Sequence, residues 1–431
     1  MKPAVHRSAV VIGALFIQVC LGAVYAWSAF TEALTRAVSQ GGEFGFSATQ
    51  TQLIFSACLL TFAVVMVPAG RLQADLGPRR VAALGGLLLG GGYLGASWFG
   101  QTFLGQLLWI GVVAGAGVGL AYGCPIAVGI RTFPERKGLI TGVSVAGFGF
   151  GALLWVKLAG PWGGLVERLG VLGTFRVFGV VLLIAVLVGA IWMVHPQESE
   201  GSQAGATGLG LVAGMPPHQA LRTPQFFVLW LAFVVSSGAG LMVIGTIKLF
   251  GIDALTAGGM DAARASAAAG TAMGVYYAVA NGLGRIVWGA VSEPLGRSRA
   301  LALLCGLQAV AFLAFFRLGA AESSFYLGAA LIGFNFGGNF ALFPALTADW
   351  FGSATVGRNY GFLFTAYGVG GVAGPLLGGV CRDLGAGRGA EAWLPAFMAA
   401  GVALLVVAAL VLRLTPPIAG AAGCARGERS R

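Results

Sequence analysis

Apolar residues along this chain fall into long runs separated by short polar breaks. Runs long enough to cross a membrane begin near residues 8, 48, 81, 103, 138, 172, 224, 268, 299, 324, 356 and 392. Each predicts a helix, because a helix satisfies its own backbone polar groups in lipid. The expected fold is an all-α polytopic membrane protein of twelve transmembrane helices. One break is long: HPQESEGSQAGATGLGLVAGMPPHQALR, from His195 to Arg222, is polar and rich in Gly, Ser and Pro, and it reads as a linker. The expected division is a six-helix bundle over 1–194, a cytoplasmic linker over 195–222, a second six-helix bundle over 223–415 and a cytoplasmic tail over 416–431. The opening MKPAVHRSAVV runs into the first apolar segment without a small-residue cleavage site, so a retained helix is expected there.

The two halves repeat. RTFPERKGLITGVSVAGFGFGALL follows the fourth run and DWFGSATVGRNYGFLFTAYGVGGVAGPLL follows the tenth; at a constant offset Lys137 falls on Arg358, Gly147 on Gly368 and Gly149 on Gly370. GRLQADLGPRR follows the second run and GAVSEPLGRSR the eighth. Two pseudo-symmetric bundles of six helices suit a rocking transporter with its site near the membrane midplane. In the fourth run Gly111, Gly115, Gly119 and Gly123 form one stripe, which predicts close helix packing.

Composition narrows the class. Charged residues are 10% of the chain, against about 25% in soluble domains, and mean hydropathy is +0.86. The net charge of +11 lies in the breaks between runs and forms no soluble basic stripe, which argues against nucleic acid. Lys and Arg concentrate in alternate breaks, for example at Arg79 and Arg80, Arg136 and Lys137, and Arg297 and Arg299. This bias places both termini in the cytoplasm of a cell, the inner membrane in a bacterium. The six cysteines are scattered, His6, His195 and His218 lie in the tail or linker, and no HExxH, GxSxG or GK[ST] loop occurs. An enzyme, a metal site and a bound cofactor are therefore not expected. A channel would show re-entrant filter segments or an oligomer-forming pore helix; neither is visible, and a monomeric carrier is the expectation.

The candidate chemistry centres on AAGTAMGVYYAVANGLGRIVWGAV, residues 268–291, a membrane-length run with one arginine. Arg285 lies about 9 Å inside the end near Val291 at 1.5 Å rise per residue. A central arginine in lipid costs roughly 2.5–3.5 kcal/mol, so it needs water, a partner charge or an anionic ligand. The segment contains no acid, which makes a small carboxylate substrate the candidate counter-ion. Asn281 and Arg285 share one helical face, as do Phe336 and Phe340, offering a polar clamp beside an apolar wall. Arginine presents two parallel donors that match a carboxylate.

GRLQADLGPRR resembles the loop signature of the major facilitator superfamily. YAWSAF, AYG, NGLGR, NFALFP and RNYGFLFTAYG together resemble the oxalate/formate antiporter family, related to the monocarboxylate transporters. The resemblance implies that Arg285 binds substrate carboxylate and that Tyr25, Gln50, Tyr122, Phe336, Phe340, Phe364 and Tyr367 stand at pocket positions. The oxalate exchanger has a lysine where this chain has Tyr367, and the monocarboxylate transporters have an aspartate where it has Asn281. The expectation is a carrier of lactate- or pyruvate-like monocarboxylates with proton symport, the alternative being a carboxylate antiporter of the oxalate/formate type that takes a counter-anion. The loops bearing Gly70, Asp75 and Arg79, and Glu293 and Arg297, are expected to gate. The superfamily's loop acid sits four residues after the first glycine; that place is Ala74 in the first loop, with Asp75 one residue late, and Glu293 in the second.

Overall fold

The computed structural model describes residues 7–36, 38–133, 137–160, 163–194, 214–352, 355–385 and 387–417. Twelve long helices follow in order: α1 Arg7–Trp27, α2 Ala48–Leu76, α3 Pro78–Phe99, α4 Phe103–Thr132, α5 Lys137–Ala159, α6 Leu165–Ala190, α7 Pro224–Ala257, α8 over 262–295, α9 Arg297–Leu318, α10 Glu322–Phe351, α11 Val356–Leu384 and α12 Leu394–Leu412. Eleven are long and apolar enough to cross a membrane. The exception to the expected twelve is α8, which is diluted by Asn281, Arg285 and Glu293. Most of the expected linker, 195–213, and the tail from 418 lie outside the described residues. The end of the linker is tied down where Met215 N–H donates to Phe351 O at 2.9 Å and Asn359 Nδ2 to Met215 O at 2.9 Å.

Local chemistry sets the helix ends. Ser47 caps α2 and Gln50 closes the capping box, each side chain accepting from the other residue's N–H. Thr223 caps α7 ahead of Pro224. The α2–α3 and α8–α9 turns use one glycine each, Gly77 at φ +81° and Gly296 at φ +88°, a region that other residues avoid. The sequence repeat is thus also a backbone repeat.

Packing follows the same symmetry. α1 lies on α5, α2 on α4 and α3 on α6; α7 lies on α11, α8 on α10 and α9 on α12. Leu84 and Leu87 on α3, Val180 and Ile184 on α6, Leu303 and Leu307 on α9, and Val402 and Val406 on α12 are exposed, giving the bundle an apolar outer surface that lipid covers. The bundles meet along two related seams, α2 with α11 and α5 with α8. Glycine makes both seams close: a Cβ on Gly70 would stand 2.7 Å from Gly357 O, and one on Gly149 would stand 2.7 Å from Gly282 N. The α4 stripe serves packing within the first bundle, Gly115 lying against Cys58 O and Gly119 against Phe62 O of α2.

Candidate functional site

Arg285 is fully buried, at 0% exposure, where the α5–α8 seam passes the centre of the bundle. Its Nε donates to Asn281 Oδ1 at 3.1 Å, one turn back on α8, and its Nη1 donates across the seam to Val145 O of α5 at 2.9 Å. The guanidinium carbon lies 4.2 Å from the ring centre of Phe340 on α10 and 5.2 Å from that of Phe148 on α5. Cation–π contacts are worth about 0.5–2 kcal/mol each, more when desolvated. Nη2 makes no hydrogen bond of normal geometry, the Tyr25 and Tyr122 hydroxyls standing close to the guanidinium without completing one. No carboxylate pairs with Arg285 among the described residues, so the site carries one uncompensated positive charge flanked by two aromatic faces.

Tyrosine and phenylalanine close the site. Tyr25 lies in the Gly22–Trp27 stretch of α1, which tightens to a 3₁₀ helix, and its hydroxyl is 2.8 Å from that of Tyr367 on α11, a second bond between bundles. Tyr122 of α4, whose hydroxyl has no partner, packs on Phe62, Phe148 and Phe364. Phe336 and Phe340 meet at 5.2 Å, and Phe340 meets Tyr367 at 5.5 Å. The hydroxyls of Tyr25, Tyr122, Tyr360 and Tyr367 all lie within electrostatic reach of the guanidinium. The structure therefore brings together Arg285, Asn281, Tyr25, Tyr122, Phe336, Phe340, Phe364 and Tyr367, all of them buried.

Gln50 is the correction. It sits in the first turn of α2 as the partner of Ser47 and lies at a helix end, away from this cluster. The sequence reading also missed Phe148, Phe62, Phe233 of α7 and the Val145 carbonyl. Of these, only Phe148 had a visible signal, as one of the two aromatics inside the glycine-rich GFGFG.

The loop residues divide. We call the side bearing the α2–α3 and α8–α9 turns, with exposed Arg79, Arg80 and Arg358, the basic face. Here Glu293 Oε1 accepts from Leu139 N–H at 3.2 Å, so a carboxylate of one bundle caps the start of α5 in the other. Arg297 pairs with Asp349 at 3.2 Å and also donates to Ser292 and to Gly289 O, all within the second bundle. Gly70 belongs to the α2–α11 seam. Asp75 and Arg79 are exposed and take no ion pair among the described residues; one residue of displacement from the Ala74 position turns a helical side chain by about 100°. Towards the opposite face the bundles are joined by Gln52 Nε2 to Gly245 O at 3.5 Å and Ser56 Oγ to Gly371 O at 3.4 Å.

A buried, unpaired guanidinium between two pseudo-symmetric helix bundles is the architecture of a membrane transporter rather than of an enzyme. The chain matches the sequence profile of the Major Facilitator Superfamily over residues 9–274 and 259–423, and it belongs to that family. Among curated relatives it is 29% identical to the uncharacterized MFS-type transporter YhjX of Escherichia coli (strain K12), over 84% of this chain and 85% of that one. It is 28% identical to the oxalate:formate antiporter of Oxalobacter formigenes (94% and 90%) and 26% identical to apicoplast pyruvate carrier 1 of Toxoplasma gondii (82% and 80%). The solved structure of the proton:xylose symporter XylE superposes with TM-score 0.65 at 12% identity, over 95% of this chain and 96% of its own, a likeness of fold alone.

Proposed function

We propose that the protein is a secondary carrier of small carboxylate anions that works by exchange, with Arg285 as the carboxylate anchor and the basic face in the cytoplasm. The observation that carries this reading is the guanidinium at 0% exposure with Nη2 unpartnered. Asn281, Val145 O and two rings offset part of its burial, and a carboxylate oxygen on Nη2 offsets the rest. Carrying the cation through each crossing without an anion leaves a charged donor unsatisfied, which costs about 2–3 kcal/mol and slows the return step about 30- to 150-fold. An anion bound on both the outward and the return passage removes that barrier. The likeness to the oxalate:formate antiporter over nearly the full length of both chains supports exchange over the proton symport expected from sequence. Tyr367 in place of a second cation favours singly charged substrates such as formate or lactate.

Purified protein in proteoliposomes tests this. Labelled formate, oxalate and lactate are offered outside vesicles containing the same unlabelled anion or none. Counterflow should exceed net uptake by an order of magnitude or more for at least one of the three. Equal uptake into loaded and unloaded vesicles under an inward proton gradient would replace exchange with symport.

A further inference from the structure

A packed helix held along a single line of contact can pivot about that line. Glycine holds α10 along one such line: a Cβ on Gly333 would stand 2.5 Å from Tyr277 O of α8, and one on Gly337 would stand 2.1 Å from Asn281 O. In the first bundle Gly115 and Gly119 of α4 meet Cys58 O and Phe62 O of α2 in the same way, a shared register that places Asn335 on Gly117 and Asn339 on Ala121. Counting from the turn glycines Gly77 and Gly296 places Gln308 of α9 on Leu89 of α3. The two bundles differ at these places. In the first, α3 and α4 interlock by backbone, since a Cβ on Gly117 would stand 2.3 Å from Leu89 N. In the second, Gly338 of α10 lies against the Leu304 side chain of α9, and a polar set ties the helices together. Ser236 Oγ of α7 donates to Asn339 Oδ1 at 2.7 Å and lies 3.3 Å from Gln308 Oε1, while Gln308 Nε2 donates to Ser236 O at 3.4 Å. All three side chains are fully buried. Asn339 Nδ2 has no partner, and an unsatisfied buried donor costs stability. Stability alone therefore does not account for a polar set where the first bundle uses Leu, Gly and Ala.

We infer that Ser236, Gln308 and Asn339 lock the rotation of α10, and that Asn339 is thereby a positioning residue for the anion site. Phe340 follows Asn339 by one residue, about 100° round the helix, and its ring centre lies 4.2 Å from the Arg285 guanidinium carbon. At a radius of about 6 Å, a turn of about 20° moves that ring about 2 Å. A shift of that size takes Ser236 and Asn339 out of hydrogen-bond range, so their bond resists the motion that would uncover Arg285. With the ring in place, water is kept from one face of the guanidinium, and its attraction for a carboxylate keeps the strength of a low-dielectric site. The affinity part of this role rests on the carboxylate reading above.

Two readouts test the lock. Spin labels at exposed Val310 of α9 and Leu331 of α10 report the rotation with no substrate present. Their separation should shift or broaden by about 2 Å in Gln308→Leu and Asn339→Ala, which install the first bundle's residues. In counterflow of labelled formate, oxalate and lactate, Ser236→Ala and Asn339→Ala should raise half-saturation about fivefold, and Ser236→Thr, which keeps the hydroxyl, should stay near wild type. Acting through Phe340, the Ser236→Ala effect should shrink below about twofold in a Phe340→Leu background. A general loss of stability would persist in that background. Ser236→Ala, the smallest change, carries both readouts if Asn339→Ala does not fold. Unchanged label distances, or a Ser236→Ala effect of equal size with and without Phe340, would overturn the lock while leaving Arg285 as the anchor. Wild-type protein that moves none of the three anions would overturn the carboxylate reading, and the label distances would still decide the rotation.

Discussion

At the scale of single residues, Arg285 ties α8 to α5 through Val145 O, and it leaves Nη2 free for the proposed substrate. Arg285→Lys keeps the charge and loses the planar fork. A charge-assisted hydrogen bond is worth about 1.5–3 kcal/mol, so carboxylate affinity in a binding assay on detergent-purified protein should fall about 10- to 100-fold, with folding retained. Asn281→Asp tests the charge balance from the other side. An ionised aspartate at 3.1 Å from Nε would pair with Arg285 and compete with the substrate. Counterflow half-saturation should rise about tenfold. Arg285 was legible in the sequence because a charge in an apolar run stands out energetically. Phe62 was not, since phenylalanine in such a run has ordinary packing as its usual role, Phe148 was marked only by its glycine neighbours, and the carbonyl of Val145 has no side-chain signature at all. For Gln50 the resemblance and the local pattern pointed different ways: Ser47 and Gln50, three apart before an apolar run, spell a helix start, and that is where the structure places them.

At the scale of elements, the run starts lie within about three residues of the helix starts except for α6 and α8, whose polar first turns put the runs several residues late, because polar breaks and helix ends share the same cause at a membrane surface. What the pattern left out was the local winding. No periodicity marks the 3₁₀ stretch that carries Tyr25 or the π-wound Ala272–Tyr277 of α8. Glycine placement is where element and mechanism meet. In Gly149→Ala the new Cβ meets backbone nitrogen that has nowhere to go. The variant should lose about 1–3 kcal/mol, seen as a lower thermal midpoint, together with slower counterflow. Gly306→Ala on α9, where nothing lies within 4 Å, should match or exceed the wild-type midpoint.

At the scale of the whole molecule, the twofold repeat was visible in the loops, and its imperfection proved as informative as its presence. Among the described residues, only one seam carries an inter-bundle carboxylate. Glu293→Gln keeps a neutral acceptor and loses the charge on the start of α5, an effect of about 0.3–1 kcal/mol. Spin labels at the exposed Arg79 and Arg358 positions should then report a longer or broader separation across the basic face. An unchanged distance distribution would assign closure to the glycine seams alone. The helix that departs most from the membrane pattern bears on how the protein is made. As a nascent segment, α8 is the one that lipid by itself holds least well. Two of its stabilising partners, Val145 and Phe148, belong to α5 and leave the ribosome earlier; Phe340 leaves later. The half synthesised first thus offers the arginine a prepared berth, and correct insertion of the second half becomes a matter of docking onto the first.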